Sequence, residues 1–85
     1  MANPNIKTRD EAEKELIELI QSERLDETKK GTADYIDAME DWDWLLNFVV
    51  CCMQDSGEVR GGITIKKVLQ SIEKRHNVDL LKYFE

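Results

Sequence analysis

Eighty-five residues with 41% apolar and 35% charged content are enough for one folded domain, and they exclude full disorder, which needs low hydrophobicity together with high charge. The net charge of −6 is unevenly spread: residues 1–58 hold six Lys/Arg against fifteen Asp/Glu, whereas residues 59–85 hold six against three. Phosphate repels a chain that is acidic overall, so generic nucleic-acid binding is not expected; and a chain this short hides only roughly 60–65% of the surface its unfolded form exposes, so a second copy or a partner would add to a small stability margin.

Residues 1–7 read as a flexible tail, because Pro4 and two asparagines discourage helix there. Residues 8–85 read as a single helical domain. The start Met-Ala-Asn-Pro-Asn has no basic stretch leading into an apolar run, so no signal peptide is expected. Thr8-Arg-Asp-Glu11 is a capping-box pattern and predicts a helix from about Arg9 to Glu23. Its apolar set is Ala12, Leu16, Ile17, Leu19 and Ile20, at helical spacing. Glu11, Lys14, Glu15, Glu18 and Gln21 fall to the other face. Residues 24–31 contain one apolar residue and end in Gly31, which marks a connection. Thr32 or Asp34 is placed to cap the next helix.

The second helix is predicted from about Ala33 to Gln54. Projected at about 100° per residue, Tyr35, Met39, Trp42, Leu46, Val49, Val50 and Met53 share one side. The other side carries Asp37, Glu40 and Asp41 first, then Trp44, Phe48 and Cys51. Aspartate is a mediocre helix-interior residue, so Asp41–Asp43 is a candidate break. Trp44 to Met53 is a ten-residue run with one polar member. It is too apolar all round for a helix with one buried face, so the other helices, or another protein, must cover its second side. The run is also too short to cross a bilayer, which needs about 20 apolar residues, so no membrane insertion is expected. Cys51 and Cys52 are adjacent, and on a helix their side chains diverge too far for an ordinary disulfide. Within so apolar a run they are expected to be buried structural thiols, in a reducing compartment. The expected location is cytoplasmic, or the host cytoplasm for a viral chain.

Three of the four glycines lie between Ser56 and Gly62, a turn-rich connection in which a small hairpin over residues 59–65 is the alternative. Thr64 is placed to cap a third helix, from about Ile65 to His76, with Ile65, Val68, Leu69 and Ile72 on its apolar face. Asn77 suits a left-handed helix end. Asp79 is placed to cap a last turn whose Leu80, Leu81 and Phe84 close the core. The resulting fold class is all-α: a small three-helix bundle with a long central helix and a short C-terminal helical turn. The basic C-terminal part is expected to pack beside the acidic middle.

No catalytic, cofactor-binding or metal constellation is visible. Asp34, Asp37, Glu40, Asp41 and Asp43 form the densest acidic cluster, and residues 31–54 contain no Lys, Arg or His. Hard cations want six or more oxygens converging from a bent loop, and a di-metal bundle site wants Glu-x-x-His pairs; the cluster offers neither. Its plain reading is a solvated helix face, and the functional one an electrostatic face for a basic partner. Cys51-Cys52 lacks the separated spacing of zinc ligands. His76, Lys74 and Arg75 complement the dipole at a helix C-terminus; phosphate contact near Gly61-Gly62 is the weaker alternative, without phosphate-loop spacing. Trp42 and Trp44 point about 200° apart on a helix, so both cannot face one core.

Enzyme activity is therefore not expected. The expectation is a small acidic protein–protein interaction module, a regulator or inhibitor of the accessory type that phages encode, with no cofactor. Its partner-binding residues are Asp37, Glu40, Asp41, Trp44 and Phe48, acid for steering and aromatic area for affinity. A protein partner with a basic surface fits this pattern, and so does a homodimer through Trp44 and Phe48. Two alternatives stand beside it: an acidic nucleic-acid mimic that blocks a nucleic-acid-binding protein, and a nucleic-acid-binding module using Lys66, Lys67, Lys74, Arg75 and Lys82.

Overall fold

The computed structural model describes residues 7–62 and 64–84. The chain is all-helical. Helix α1 spans Arg9–Gln21, α2 Ala33–Asp55 and α3 Ile65–His76, with short 3-10 turns at Glu27–Lys29 and Leu81–Phe84. There is no strand among the described residues. Apart from Lys7, the expected tail lies outside the described residues, as do Ile63 of the alternative hairpin, the Phe84 side chain and Glu85.

Each α-helix starts at a threonine, because a hydroxyl oxygen there satisfies one of the amide donors that the first turn leaves open. The Thr8 hydroxyl accepts from the Glu11 N–H at 3.2 Å, and the Glu11 carboxylate accepts in return from the Thr8 N–H at 2.9 Å. This closed box holds the Glu11 carboxyl below the usual carboxylate range, chiefly through the Thr8 amide. Thr32 accepts from the Tyr35 N–H at 3.2 Å and Thr64 from the Lys67 N–H at 3.3 Å. Helix α2 runs unbroken through Asp41–Asp43.

The helix ends depart more from expectation. Helix α1 stops at Gln21, not Glu23. The Ser22 hydroxyl donates to the Leu19 carbonyl at 2.8 Å, and Glu23 takes a left-handed φ of 66°. That reversal carries Leu25, the lone apolar residue of the connection, into the core at 2% exposure. Helix α3 ends at Asn77 with φ 56° and ψ 50°, as expected. Asp79 is not the main cap of the last turn. The Glu73 carboxylate accepts from the Leu80 N–H at 2.6 Å and the Leu81 N–H at 2.9 Å. Those two amides, Leu81 first, hold the Glu73 carboxyl below its ordinary value.

The core draws Ala12, Leu16 and Leu19 from α1, Ala38, Trp42, Leu45, Leu46, Val49 and Met53 from α2, and Val68, Leu69 and Ile72 from α3. Leu25, Val59 and Leu80 fill it from the connections. Trp42 is its largest member at 1% exposure, and the Tyr83 ring lies against it at 5.3 Å between centroids. Burying side chains of this size stabilises by roughly 1.5–3 kcal/mol each.

One charged residue is also buried. Glu13 is 1% exposed. Its carboxylate accepts from Arg75 Nη1 at 3.0 Å and His76 Nε2 at 2.8 Å, and Arg9 Nε lies 3.6 Å away. Arg9 also pairs with Glu58 in the connection after α2. The start of α1 thus holds both that connection and the C-terminal end of α3. Arg75 and His76 thus pair with α1, while Tyr83 of the last turn lies against Trp42 within the acidic middle of α2.

Candidate interaction surface

Helix α2 buries one arc and leaves the opposite one in solvent. The buried positions Ala38, Trp42, Leu45, Leu46, Val49 and Met53 span about 100° of circumference at 100° per residue. Trp44 projects about 150° from the middle of that arc. Its indole is 38% exposed, and its ring stacks on Phe48 at 5.4 Å between centroids with 23° between planes. Phe48 is half-buried, and Cys51, one further step along the same line, is exposed. Described residues of the chain therefore cover this second apolar side of α2 only in part.

The acidic residues lie on the same side and reach solvent. Asp37, Glu40 and Asp41 are all exposed, as are Asp34 and Asp43. Asp41 faces Arg24 Nη1 at 3.6 Å. Asp37, Glu40 and Asp43 have no ion-pair partner among the described residues. All five predicted partner-binding residues thus fall on one stripe of α2, acid first and aromatic after, with Asp37, Glu40, Asp41 and Trp44 exposed and Phe48 half-buried.

Two residues that sequence reasoning passed over shape this surface. Lys7 pairs with Glu15 of α1 and places its Nζ 5.8 Å from the centre of the Trp44 ring. Arg24, from the connection after α1, sits on Asp41. Together with Leu19, Leu45 and Trp44 they line an open groove of about 540 Å³ between α1 and α2. Nothing in their own sequence neighbourhood marks Lys7 or Arg24, since both reach α2 from elsewhere in the chain.

The cysteines also differ from expectation. Both are free; Cys51 is exposed and Cys52 only half-buried. The apolar run averages over the whole helix circumference, whereas burial follows the arc, and Cys51 shares the arc of Trp44. Burial pushes the Cys52 thiol up, and Asp55 adds to the effect.

The basic residues of the alternative reading are divided. Lys66, Lys67 and Lys74 are exposed on α3, Arg75 is engaged by Glu13, and Lys82 lies over Tyr83 at 5.3 Å. No group of His, Cys, Asp and Glu among the described residues is arranged to hold a metal ion, and no described helix is long and apolar enough to cross a membrane. No family model, curated protein or solved structure matches the chain.

Proposed function

We propose that this chain is an acidic protein–protein interaction module that regulates or inhibits a partner by occupying its surface. The module is a three-helix bundle with α2 through its middle and the Leu81–Phe84 turn closing one end, a reading supported by a core drawn from all three helices. Its contact surface is Asp37, Glu40, Asp41, Trp44 and Phe48, and its partner presents a basic surface. The observation that carries the reading is the 38% exposed Trp44, stacked on Phe48 and continuous with the carboxylates of Asp37 and Glu40, which have no ion-pair partner among the described residues. Interface centres are enriched in Trp, Tyr and Phe. Acidic residues around such a centre speed docking to a basic partner and suppress wrong ones. The role needs no catalytic group.

The test is affinity capture from the source cell with the wild-type chain, Asp37→Asn/Glu40→Gln and Trp44→Leu, with sizing of the free protein alongside. The captured partner should bind each variant about tenfold or more weakly, with the urea midpoint of the double variant no lower than that of the wild type. Undiminished binding by both variants refutes the surface. If the free protein sizes as a dimer that Trp44→Leu dissociates, the partner is a second copy. A nucleic-acid mimic is favoured over a mainly apolar contact if binding collapses as salt rises, since exposed charge pairs are screened within about 10 Å at 0.1 M.

A further inference from the structure

We infer that the groove between α1 and α2 is a seat for an arginine side chain of the basic partner, and that Lys7 occupies it in the free protein as a built-in competitor. The inference rests on the reading of the α2 stripe as a partner surface, and it names the group that the stripe receives. The groove already holds two cations of the chain's own, and both sit on its acids. Lys7 pairs with Glu15 while its ammonium lies 5.8 Å from the Trp44 ring centre, and Arg24 lies 3.6 Å from Asp41. The Lys7 arrangement supplies the two contacts that a cation seeks on a protein surface, a carboxylate and the negative face of an aromatic ring. Glu18 adds an exposed carboxylate to the same lining.

Lys7 is placed to be displaced. The Lys7 and Glu15 side chains are 21% and 42% exposed; an ion pair still open to water contributes about 1 kcal/mol or less, and a cation over an aromatic ring adds about 0.5–1 kcal/mol. A partner that also contacts Asp37, Glu40 and Phe48 outweighs both. Arginine suits the seat better than lysine. Its planar guanidinium stacks on an indole and forks onto carboxylates, while an ammonium is a compact, strongly hydrated point charge. Once Lys7 leaves, Glu15 and the Trp44 face together offer that combination.

The experiment titrates poly-L-arginine and poly-L-lysine at low salt into the full chain, Lys7→Ala, Lys14→Ala, Trp44→Leu and Asp37→Asn/Glu40→Gln. Lys14 is exposed on α1 and does not line the groove, so Lys14→Ala makes the same change in net charge without emptying the seat. The expected result is a gain of about two- to fivefold in affinity for poly-L-arginine in Lys7→Ala over Lys14→Ala. Poly-L-lysine should bind more weakly than poly-L-arginine, and Lys7→Ala should expose Trp44 to stronger acrylamide quenching. If Lys7→Ala gains no more than Lys14→Ala while Asp37→Asn/Glu40→Gln still loses binding, the seat is refuted and the stripe stands. If Asp37→Asn/Glu40→Gln and Trp44→Leu both bind poly-L-arginine as the wild type does, seat and stripe fall together. Equal binding of the two polymers refutes arginine selectivity. Should Trp44→Leu not fold, the comparison of the two lysine variants still decides.

Discussion

Glu13 offers the sharpest energetic test, because removing it and removing its partners should have unequal consequences. The carboxylate is 1% exposed, whereas the Arg75 and His76 side chains that bond it are 37% and 32% exposed. In Arg75→Ala/His76→Ala the buried carboxylate keeps only Arg9, whose Nε lies 3.6 Å away. Stripping partners from a buried charge costs about 3–5 kcal/mol. Against a total stability of roughly 4–13 kcal/mol for a chain of this length, that is a large share. Glu13→Met removes the buried charge itself. The Arg75 and His76 side chains left behind already reach water, and Arg9 keeps its pair with Glu58, so the loss should stay within about 1–2 kcal/mol. Urea unfolding followed by the fluorescence of buried Trp42 gives both numbers, read as shifts in midpoint at constant slope. The triple variant closes the cycle: with Glu13→Met in place, Arg75→Ala/His76→Ala should cost far less than alone. If Glu13→Met destabilises as much as the partner deletion, or the cycle shows no coupling, the account of Glu13 as a desolvated charge held by its partners is wrong.

Glu73→Gln should lower stability by roughly 1.5–3 kcal/mol at neutral pH, the range for hydrogen bonds to a charged acceptor. Because the folded Glu73 carboxyl lies below its ordinary value, that contribution is fully present above the unfolded value near 4.5 and disappears as pH falls through the lowered one; urea midpoints of wild type and variant should therefore converge in acid. Glu23→Gly should stabilise by up to about 1 kcal/mol, since a side chain held at φ 66° carries a left-handed penalty that glycine lacks, and thermal melts will show a raised midpoint if so. Alkylation should reach Cys51 before Cys52, because the thiolate is the nucleophile and burial lifts the Cys52 thiol; mass spectrometry of Cys51→Ser and Cys52→Ser should give a slow and a fast variant respectively.

Features that rest on local physics were legible in the chain. A hydroxyl two or three residues before an amide, and an asparagine after the last periodic position, mark helix ends without knowledge of the fold; Thr8, Thr32, Thr64 and Asn77 behave accordingly. The division of Trp42 from Trp44 follows from helical pitch alone. What was not legible depends on groups distant in sequence. Glu13 lies three before Leu16 and four before Ile17, inside the apolar arc of α1, and a glutamate there is a signal. Its partners lie 62 and 63 residues away, so spacing could not name them. Asp79 satisfies the capping rule, yet a carboxylate seven residues before Leu80 does most of its work. Leu25 enters the core only because Glu23 adopts a conformation that nothing local requires. At the candidate surface, the stripe on α2 is a property of one helix and could be projected. The groove depends on Lys7 and Arg24 arriving from outside that helix, and could not.

The acids of this protein divide by what they hold. Glu11 closes the cap of α1, Glu13 gathers Arg9, Arg75 and His76, Glu58 receives Arg9, Asp26 accepts from the Thr28 amide, and Glu73 seats the last turn. Asp37, Glu40 and Asp43 hold nothing among the described residues. They are spaced three apart on one helix, where like charges repel by roughly 0.2–0.5 kcal/mol per pair, and no Lys, Arg or His lies between residues 31 and 54 to relieve them. Trp44 adds an indole where a polar side chain would leave no apolar surface in water. The solvent arc of α2 is thus less favourable for the fold than a mixed-charge arc would be, in a chain with little stability to spare. Departures from local optimality of this kind collect at functional positions, and here three of them, Asp37, Glu40 and Trp44, belong to the stripe that the proposed partner contacts.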